Sequence, residues 1–496
     1  MNPSKICKAL IISIAIIGIG IELTAQTTPK REMRGIWIST VSNIDWPSKP
    51  GLAANQLKSE ADAIMDQLLK LGFNAIFLQV RPASDAFYAS SIEPWSVYLT
   101  GNQGTVPEKG FDPLQYWVEQ SHQRGIELHA WINPFRAATN AQQGTSPQHI
   151  TNTHPEWLIQ YNKKQYIDPG LPQARAYISK IAEEITRNYD IDGLHIDDYF
   201  YPYPAANEPF ADTLSFRSFN SRKLSLEDWR RDNINQFIQE THRVIKATKP
   251  WVAFGVSPFG VWRNANRDQR GSQTTAGTTA YDILYADVLT WMKNKWVDYV
   301  VPQIYWESTH SSANFNTLVD WWAQQNGCIK YIGHAIYKIN NGTTAWADKE
   351  EMPNQMKKAR QSKNIQGSVL FSYKQLNRDL LGLDSFLMAD QYRNKALTPM
   401  LLSKTYQPIK ITHLKQKRHT LQWKTDNDKQ VRFFIVYRHH KKEKFAATNS
   451  QYIYCITSRN RLKVEHQRGE KYHYRIAPID LYRKEHEISK AIKIKN

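Results

Sequence analysis

The chain has 496 residues, of which 41% are hydrophobic and 12% aromatic, which excludes an intrinsically disordered protein and gives room for one large domain plus a smaller one. Its formal net charge is +18, but residues 404–496 carry 23 Lys and Arg against 8 Asp and Glu, a net +15. The remaining +3 belongs to residues 1–403, so the composition indicates a nearly neutral main part and a strongly basic C-terminal part.

The first 25 residues are predicted to be a secretory signal peptide. Two lysines precede the apolar run of residues 9–21, and Ala25 supplies a small residue for cleavage. The run is too short for a membrane span, so we expect no span in the mature chain and export to the periplasm or cell envelope. The cysteines that remain, Cys328 and Cys455, give neither a disulfide framework nor a metal site, and we predict no metal and no cofactor.

Eight strand-then-helix units follow one another in the main part of the chain. The predicted strands are apolar throughout and span residues 33–39, 74–80, 126–132, 191–196, 252–257, 297–306, 331–336 and 367–373. The first helix is predicted to begin with Asn55 as its cap and to end at Gly72. Strands without polar alternation are typical of a sheet covered on both faces, and eight such units predict an α/β fold, a (β/α)8 TIM barrel.

The C-terminal part has a different pattern. Short alternating runs such as TLQWKT and RFFIVYRH predict small antiparallel strands, and the end of the chain looks like a fibronectin type III sandwich. The predicted organisation is therefore a signal peptide, residues 1–25, a barrel, residues 31–400, and a small basic all-β accessory domain, residues 405–496. In an exported protein such a basic domain favours an anionic cell-wall glycan as partner over nucleic acid, although a solvated basic surface without a ligand is the alternative.

Polar and aromatic residues follow the predicted strands. In a TIM barrel the active site lies at the C-terminal ends of the strands. The residues at those positions here are Ser39, Asn43, Arg81, Asp85, Asn133, Arg136, Asp197, Asp198, Ser257, Gln303, Tyr305, Glu307, Tyr337 and Tyr373. Long insertions follow on the same side and are expected to form walls or lids: residues 88–112, 137–168, 200–226 and 258–280.

The segment DGLHIDDYFYPYP, residues 192–204, carries the strongest catalytic signal, because it places two carboxylates at the C-terminal end of a buried strand and three tyrosines after them. This pattern is typical of a barrel that cleaves sugars. Glycoside hydrolysis needs one carboxyl that protonates the leaving oxygen and one group that stabilises or attacks the anomeric carbon. By strand alternation His195 and Asp197 share a face, so Asp197 is predicted to point into the barrel mouth. We predict Asp197, Asp198 and the more distant Glu307 as catalytic residues. The alternative for the two aspartates is that they cap the next helix or hold an arginine, and the alternative for Glu307 is a surface residue at the start of a loop.

A second group of side chains is predicted to bind a sugar substrate. Aromatic rings pack on the CH faces of pyranoses, amides bond hydroxyls, and arginines hold a carboxylate or depress its pKa. The predicted substrate-binding residues are Arg81, Asp85, Asn133, Arg136, His195, Tyr199, Tyr201, Gln303, Tyr305 and Trp306. The alternative for Arg81 and Arg136 is a structural salt bridge inside the barrel mouth.

Six motifs together resemble a known family. MRGIWIS, FLQVRPASDAFY, HAWINPFR, DGLHIDDYFYPYP, GVSPFGVWRN and PQIYW occur in this order within residues 31–400 and look like the glycosyl-hydrolase-like 10 family. The resemblance implies a barrel glycosidase of the bacterial envelope that cleaves glycan strands of amino sugars, namely peptidoglycan lacking stem peptides. The alternatives are a carbohydrate-binding barrel without catalysis and a structural protein that docks on the wall through its basic domain.

The fourth strand is also similar to the DG-x-D-x-D-x-E strand of family-18 chitinases. Asp192 and Gly193 match that pattern, and Asp197 falls on its last Asp. His195 replaces the earlier Asp, and Tyr199 stands where the acidic Glu is expected. The chitinase mechanism therefore does not transfer directly, although Asp197 can still orient a substrate acetamide.

Overall fold

A computed structural model gives the fold. The residues that it describes are 28–108, 110–141, 145–401, 407–464 and 471–494. The predicted signal peptide lies outside these residues. Within them, no helix is long and apolar enough to cross a membrane.

The strands of the described residues fall into a barrel, a small inserted sheet and two C-terminal sheets. In chain order they are β1 Met33–Ile38, β2 Ala75–Arg81, β3 Glu127–Ile132, β4 Arg136–Ala138, β5 Leu158–Tyr161, β6 Lys164–Ile167, β7 Gly193–Ile196, β8 Ala253–Val256, β9 Tyr299–Val300, β10 Ile329–His334, β11 Ile365–Leu370, β12 Ile411–Lys417, β13 Thr420–Thr425, β14 Val431–His440, β15 Ile453–Thr457, β16 Arg461–Lys463, β17 Tyr472–Asp480 and β18 Ile492–Lys493.

The α-helices of the described residues all precede the C-terminal sheets. In chain order they are α1 Ala54–Lys70, α2 Val97–Thr100, α3 Pro113–Gln123, α4 Ile150–Thr153, α5 Pro172–Asn188, α6 Thr213–Phe219, α7 Leu226–Thr248, α8 Val288–Lys293, α9 Phe315–Gln324, α10 Thr344–Ala347, α11 Glu351–Gln361 and α12 Leu383–Phe386.

Eight parallel strands close into a barrel in the order β1-β11-β10-β9-β8-β7-β3-β2. The predicted (β/α)8 barrel is confirmed. One strand is much shorter than predicted: β9 covers Tyr299–Val300 rather than residues 297–306. Pro302 lacks a backbone N–H and interrupts the ladder, and two bridges from Gln303, to Phe259 and to Gly333, resume it.

The first helix, α1, shows how local residues set the ends of a helix. Its apolar face is buried against the barrel, and Gly72 follows the helix with a φ of 85°, which a glycine adopts without strain. The prediction of Asn55 as the cap is wrong. Ala53 precedes the helix, and N–H groups of the first turn find acceptors elsewhere: Ala54 N donates to Glu108 Oε2 at 3.1 Å, and Gln56 N donates to Asn55 Oδ1 at 2.8 Å.

Two apolar layers surround the sheet. The larger lies between the strands and the helices, and the smaller fills the barrel interior with rings such as Trp37, Phe77 and Tyr299. Two histidines stand among these rings: His129 stacks on Phe77 at 4.6 Å, and His195 lies parallel to Tyr299 at 5.9 Å. The inward faces of the strands are therefore packed, and a cavity lies above them at their C-terminal ends.

The predicted long insertion 137–168 has structure of its own. Strands β4, β6 and β5 form a three-stranded antiparallel sheet beside the barrel mouth. Positive φ angles at Asn162 and Lys163 form its hairpin turn. This wall is therefore an ordered sheet rather than a structureless loop.

The C-terminal region consists of two antiparallel sheets, in the orders β12-β13-β16 and β15-β14-β17-β18. This all-β region is confirmed. It sits under the N-terminal ends of the barrel strands, where Leu401 and Tyr482 extend the apolar barrel interior. Buried arginines bridge the two parts: Arg432 pairs with Asp192 at 3.0 Å, and Arg483 pairs with Glu127 at 2.6 Å.

Candidate active site

A cavity of about 380 Å³ opens at the C-terminal ends of the barrel strands. All eight strands or the loops that follow them contribute to it. The lining residues are Trp37, Ser39, Val41, Ile44, Gln79, Trp131, Arg136, Asp197, Asp198, Tyr199, Tyr203, Ser257, Gln303, Tyr305, Tyr337 and Phe371. Seven of them are aromatic and two carry carboxyl groups, a composition suited to sugar rings and to acid catalysis.

The Asp197 carboxyl is held from below by a chain of amides. The side-chain oxygen of Gln79 accepts hydrogen bonds from the backbone N–H groups of Thr40 and Val41, both at 2.9 Å. Its amide nitrogen must then donate, and it donates to Asn133 Oδ1. The Asn133 amide nitrogen in turn donates to Asp197 Oδ2. These bonds fix the carboxyl plane before any substrate binds.

Asp198 lies beside Asp197 but has different partners. The hydroxyl of Tyr203 donates to Asp198 Oδ2, and Gln303 Nε2 donates to Asp198 Oδ1 at 3.0 Å. Gln303 is itself held, because the same nitrogen donates to the Ser257 carbonyl at 2.8 Å. Both oxygens of Asp198 thus accept hydrogen bonds, which favours its ionised form.

Burial is the dominant electrostatic effect on this pair. It raises the pKa of Asp197 to about 7; Arg136 opposes this rise, and the neighbouring charge of Asp198 adds to it. Burial also raises the pKa of Asp198, while its bonds from Tyr203 and Gln303 act in the opposite direction. Because two adjacent buried carboxyls do not both ionise readily, an ionised Asp198 favours the protonated form of Asp197.

Arg136 forms the cationic side of the cavity. Its guanidinium stacks over the Tyr199 ring at 5.0 Å and makes one long hydrogen bond, 3.3 Å, to the Pro82 carbonyl. No carboxylate among the described residues forms an ion pair with it. The guanidinium therefore keeps donors available for an oxygen anion within the cavity.

The structure brings about half of the predicted site residues to the cavity. The predicted residues that line it are Asp197, Asp198, Arg136, Tyr199, Gln303 and Tyr305. Asn133 lies just beneath and contacts Asp197. His195 lies one layer lower in the barrel interior, where it is fully buried.

Two predicted substrate-binding residues, Arg81 and Asp85, bond other residues of the protein. Arg81 is fully buried and donates to both carboxylate oxygens of Glu93 at 2.7 Å, the salt bridge that was its alternative. Asp85 is also fully buried, with Val97 N and Gln103 Nε2 donating to its Oδ2 at 3.3 and 3.2 Å. Neither side chain lines the cavity.

Three further predicted residues lie away from the cavity lining. Tyr201 is buried, and Tyr285, from the segment between β8 and α8, packs edge-on against it at 5.1 Å. Trp306 packs edge-on against Phe259 at 5.3 Å. Glu307 is half-buried after β9 and outside the lining.

Several site residues were not singled out from the sequence. Trp37, Gln79, Trp131 and Phe371 line the cavity from inward positions of β1, β2, β3 and the end of β11. Gln79 could have been predicted from the sequence, because it is a lone amide within the apolar run of β2 and lies two residues after the inward Phe77. The sequence gives no signal that Trp37, Trp131 and Phe371 line the cavity, since inward Trp and Phe residues also fill a barrel core. Among the described residues there is no cluster of metal-ligating side chains.

Comparison with known proteins identifies the family. The model of the Glycosyl hydrolase-like 10 family matches residues 32–349. The chain belongs to this family. The glycosyl hydrolase YngK of Bacillus subtilis (strain 168) is 39% identical, over 94% of this chain and 99% of its own length. The glycosyl hydrolase DigH of Escherichia coli (strain K12) is 36% identical, over 70% of this chain and 84% of its own.

The family and these relatives confirm the resemblance predicted from the six motifs, and they make this protein a glycosidase. The match to DigH covers 372 residues, compared with 511 for YngK. Among solved structures, the glycoside hydrolase domain of PgaB from Bordetella bronchiseptica is similar with a TM-score of 0.45 and 12% identity, over 72% of this chain and 98% of that domain.

Proposed function

We propose that this family member hydrolyses glycan strands of amino sugars, with Asp197 as the general acid and Asp198 as the carboxylate that stabilises positive charge at the anomeric carbon. The observation that carries the proposal is the pair of buried carboxyls at the cavity, one with a pKa raised to about 7. At neutral pH a carboxyl of that pKa still holds a proton to give. The proton passes from Asp197 to the glycosidic oxygen as the bond of that oxygen to the anomeric carbon breaks. Water then adds to the anomeric carbon and returns a proton to the Asp197 carboxylate.

The substrate class that we propose is peptidoglycan glycan without stem peptides. Removal of the peptide frees a lactyl carboxylate on every second sugar, and Arg136 presents an unpaired guanidinium at the cavity for such an anion. The aromatic lining supports binding of pyranose rings on either side of the cleavage point. Export to the periplasm or cell envelope, through the signal peptide predicted for residues 1–25, belongs to the same proposal.

For the C-terminal region we propose a fibronectin type III-like accessory domain that holds the enzyme on an anionic wall polymer. The outer face of the sheet β12-β13-β16 supports this role. Leu421 and Trp423 point inward, so Gln422 and its cross-strand neighbours point outward. The charged members of this cationic face are Lys415, Lys417, Lys424, Arg461 and Lys463. Among the described residues none of these side chains forms an ion pair, and the strands β12, β13 and β16 carry no carboxylate.

The proposed function is tested by the Asp197→Asn variant on purified peptide-free glycan strands. The amide keeps the hydrogen-bonding shape of the carboxyl but has no proton to transfer, so we expect turnover to fall by at least about two orders of magnitude. Release of reducing ends from the strands measures it. A carbohydrate-binding barrel without catalysis would release none with either protein, and near-wild-type turnover of the variant would remove Asp197 from the mechanism.

A further inference from the structure

A line of buried polar side chains crosses the barrel interior from the C-terminal region to the cavity floor. It begins at Arg483, in the turn after β17, whose Nε donates to Glu127 Oε1 at 2.6 Å. Glu127 is the first residue of β3, at the bottom of the barrel. Its other oxygen lies 3.2 Å from His129 Nε2, one layer higher on the same inward face.

The line then crosses the barrel through a tyrosine. His129 Nδ1 is 2.8 Å from the Tyr299 hydroxyl, and the same hydroxyl is 3.2 Å from His195 Nδ1. All three side chains are completely buried. These contacts join β3, β9 and β7 into one hydrogen-bonded chain, which we call the interior relay: Glu127, His129, Tyr299 and His195.

The upper end of the interior relay reaches the cavity lining. His195 Nε2 is 3.3 Å from the indole N–H of Trp37 and 3.0 Å from the Ser257 hydroxyl. Trp37 and Ser257 both line the cavity. The Ser257 carbonyl accepts from Gln303 Nε2, which also donates to Asp198.

Donor and acceptor roles along the relay are fixed from both ends. The Trp37 indole only donates, so His195 Nε2 accepts, and a neutral His195 then donates from Nδ1 to the Tyr299 oxygen. The Tyr299 hydroxyl donates in turn to His129 Nδ1, which leaves the proton of a neutral His129 on Nε2. That N–H donates to Glu127, and a carboxylate only accepts. Every bond is satisfied in one direction when Glu127 is ionised.

The charge of Arg483 keeps Glu127 ionised. Burial acts to raise the pKa of Glu127, but the guanidinium of Arg483, together with His129, outweighs it and lowers the pKa below the usual range. Asp192 acts in the opposite direction. The charged and titratable groups that face Glu127 or its partner Arg483 from the surrounding elements are Arg483, His129, Asp192, Arg432, Arg31 and Tyr331.

We propose that Arg483 is a positioning residue of the active site: through the interior relay it sets which nitrogen of His195 faces the cavity floor, and so holds Trp37 and Ser257 in place beneath the substrate. The inference goes beyond the proposed function but rests on it for the position of the active site. It makes the C-terminal region part of the catalytic apparatus as well as an accessory to it.

Loss of Arg483 has a specific consequence in this scheme. A buried Glu127 without its cation takes up a proton at neutral pH. The protonated carboxyl donates to His129, the bonds of the relay reverse, and His195 carries its proton on Nε2. This N–H and the Trp37 indole are then two donors that cannot bond each other. The N–H can bond only the Ser257 hydroxyl, so Trp37 loses its hydrogen bond at the cavity floor.

The test compares Arg483→Met with wild type over a range of pH on peptide-free glycan strands. We expect kcat to fall about tenfold near neutral pH with little change in KM, the cost of about one misplaced hydrogen bond. The ratio of variant to wild-type kcat should rise with pH as Glu127 ionises again. In the double variant Arg483→Met/Glu127→Gln, the ratio of variant to wild-type kcat should not depend on pH, and kcat should lie within about threefold of wild type. The reason is that the amide oxygen of the glutamine accepts from His129 at every pH.

Arg432→Met is the matched control. Arg432 is also a buried arginine that joins the C-terminal region to the barrel and lies near Glu127. Its bonded partners, however, are Asp190, Asp192 and His122, at 2.6, 3.0 and 3.3 Å, and within the described residues it has no hydrogen bond or ion pair with a member of the relay. A purely structural role for Arg483 predicts that both variants lose stability and activity in parallel, with flat pH ratios and no rescue by Glu127→Gln. That outcome would overturn the inference.

Two further measurements keep the inference testable if Arg483→Met does not fold. Tyr299→Phe leaves the ion pair at the bottom intact and breaks the relay in its middle, so it should lower kcat, and an unchanged kcat would contradict the relay. The tautomer of His195 is read from nitrogen-15 spectra of histidine-labelled protein, and it should be protonated on Nδ1 in wild type. This readout needs no substrate, so failure of wild type to cleave the glycan would sink only the proposed function.

Discussion

The amide of Asn133 donates to the carboxyl of Asp197, and that amide is itself oriented by Gln79. The proton of a neutral Asp197 therefore belongs on Oδ1, since Oδ2 faces the Asn133 donor. The backbone N–H of Tyr199 approaches Oδ1 at 3.3 Å, a weak contact that leaves this oxygen available to substrate. The site thus presents a proton in a fixed direction, as a general acid requires.

The first prediction concerns the pH dependence that follows from Asp197. Burial raises its pKa to about 7, so the protonated, active form disappears as the pH rises through that value, and kcat should fall on the alkaline side. The folded protein also keeps a proton that the unfolded chain has released above about pH 4, so the free energy of unfolding should decrease between about pH 4 and 7. Asp197→Asn should remove the contribution of this residue to the decrease in the free energy of unfolding. A wild-type kcat that rises steadily through pH 7 would contradict the acid role.

The second prediction concerns recognition of the lactyl carboxylate by Arg136. Arg136→Gln removes the cation but keeps a hydrogen-bond donor, and we expect KM for peptide-free peptidoglycan strands to rise about tenfold, the scale of one charge-assisted hydrogen bond. Oligosaccharides of N-acetylglucosamine, which lack the carboxylate, are the matched control and should show a much smaller change. Equal losses on both substrates would mean that Arg136 acts on the carboxyl pair rather than on the substrate.

The third prediction separates the two candidates for the general acid. Glu307 was predicted from its place after the sixth strand, but it lies outside the cavity lining, and its carboxylate acts instead to counter the lowering of the Lys338 pKa by burial. We therefore expect Glu307→Gln to retain turnover within about threefold. A loss confined to substrates with poor leaving groups, with activated aryl glycosides spared, is the signature of a missing acid and would favour Glu307 over Asp197.

The features that the sequence predicted well, the barrel and the direction of Asp197, depend on local sequence patterns. Eight apolar runs with helices between them specify a barrel, and strand alternation alone aims Asp197 into its mouth. The partners that loops bring to a side chain were not predictable. A salt bridge was the alternative for Arg81, but nothing in the sequence identified its partner: Glu93, from the insertion after the same strand, occupies both arms of the Arg81 guanidinium.

The same limit applies to the relation between the two parts of the chain. The abrupt rise in basic charge indicated a separate C-terminal unit, but 356 residues separate Glu127 from Arg483, which pairs with it. No local pattern in β3 indicates that its first residue is a buried carboxylate held by another region. Removal of the chain after residue 400 would leave Glu127 and Asp192 buried without their cations, so we expect such a truncation to destabilise the barrel.

The last prediction concerns the cationic face of the sheet β12-β13-β16. If it binds an anionic wall polymer, then reversing three of its exposed charges, Lys415→Glu, Lys424→Glu and Arg461→Glu, should abolish pelleting with purified wall material. Hydrolysis of a short soluble oligosaccharide should hardly change, because the face lies on the outer surface of the C-terminal region. Binding by wild type should also weaken with salt, since exposed charges are screened over roughly 8–10 Å at physiological ionic strength.

The control for this prediction changes the net charge equally at a different place. Lys441, Lys442 and Lys444 are exposed in the turn after β14, outside the cationic face, and their reversal to glutamate changes the charge of the region by the same amount. A bound polymer that follows the cross-strand rows of lysine and arginine would be lost only when the face is altered. If both triple variants lose pelleting equally, the whole basic region acts through its net charge and no single face binds. If wild-type pelleting is indifferent to salt and to both sets of substitutions, the basic charge has no role in attachment to the wall.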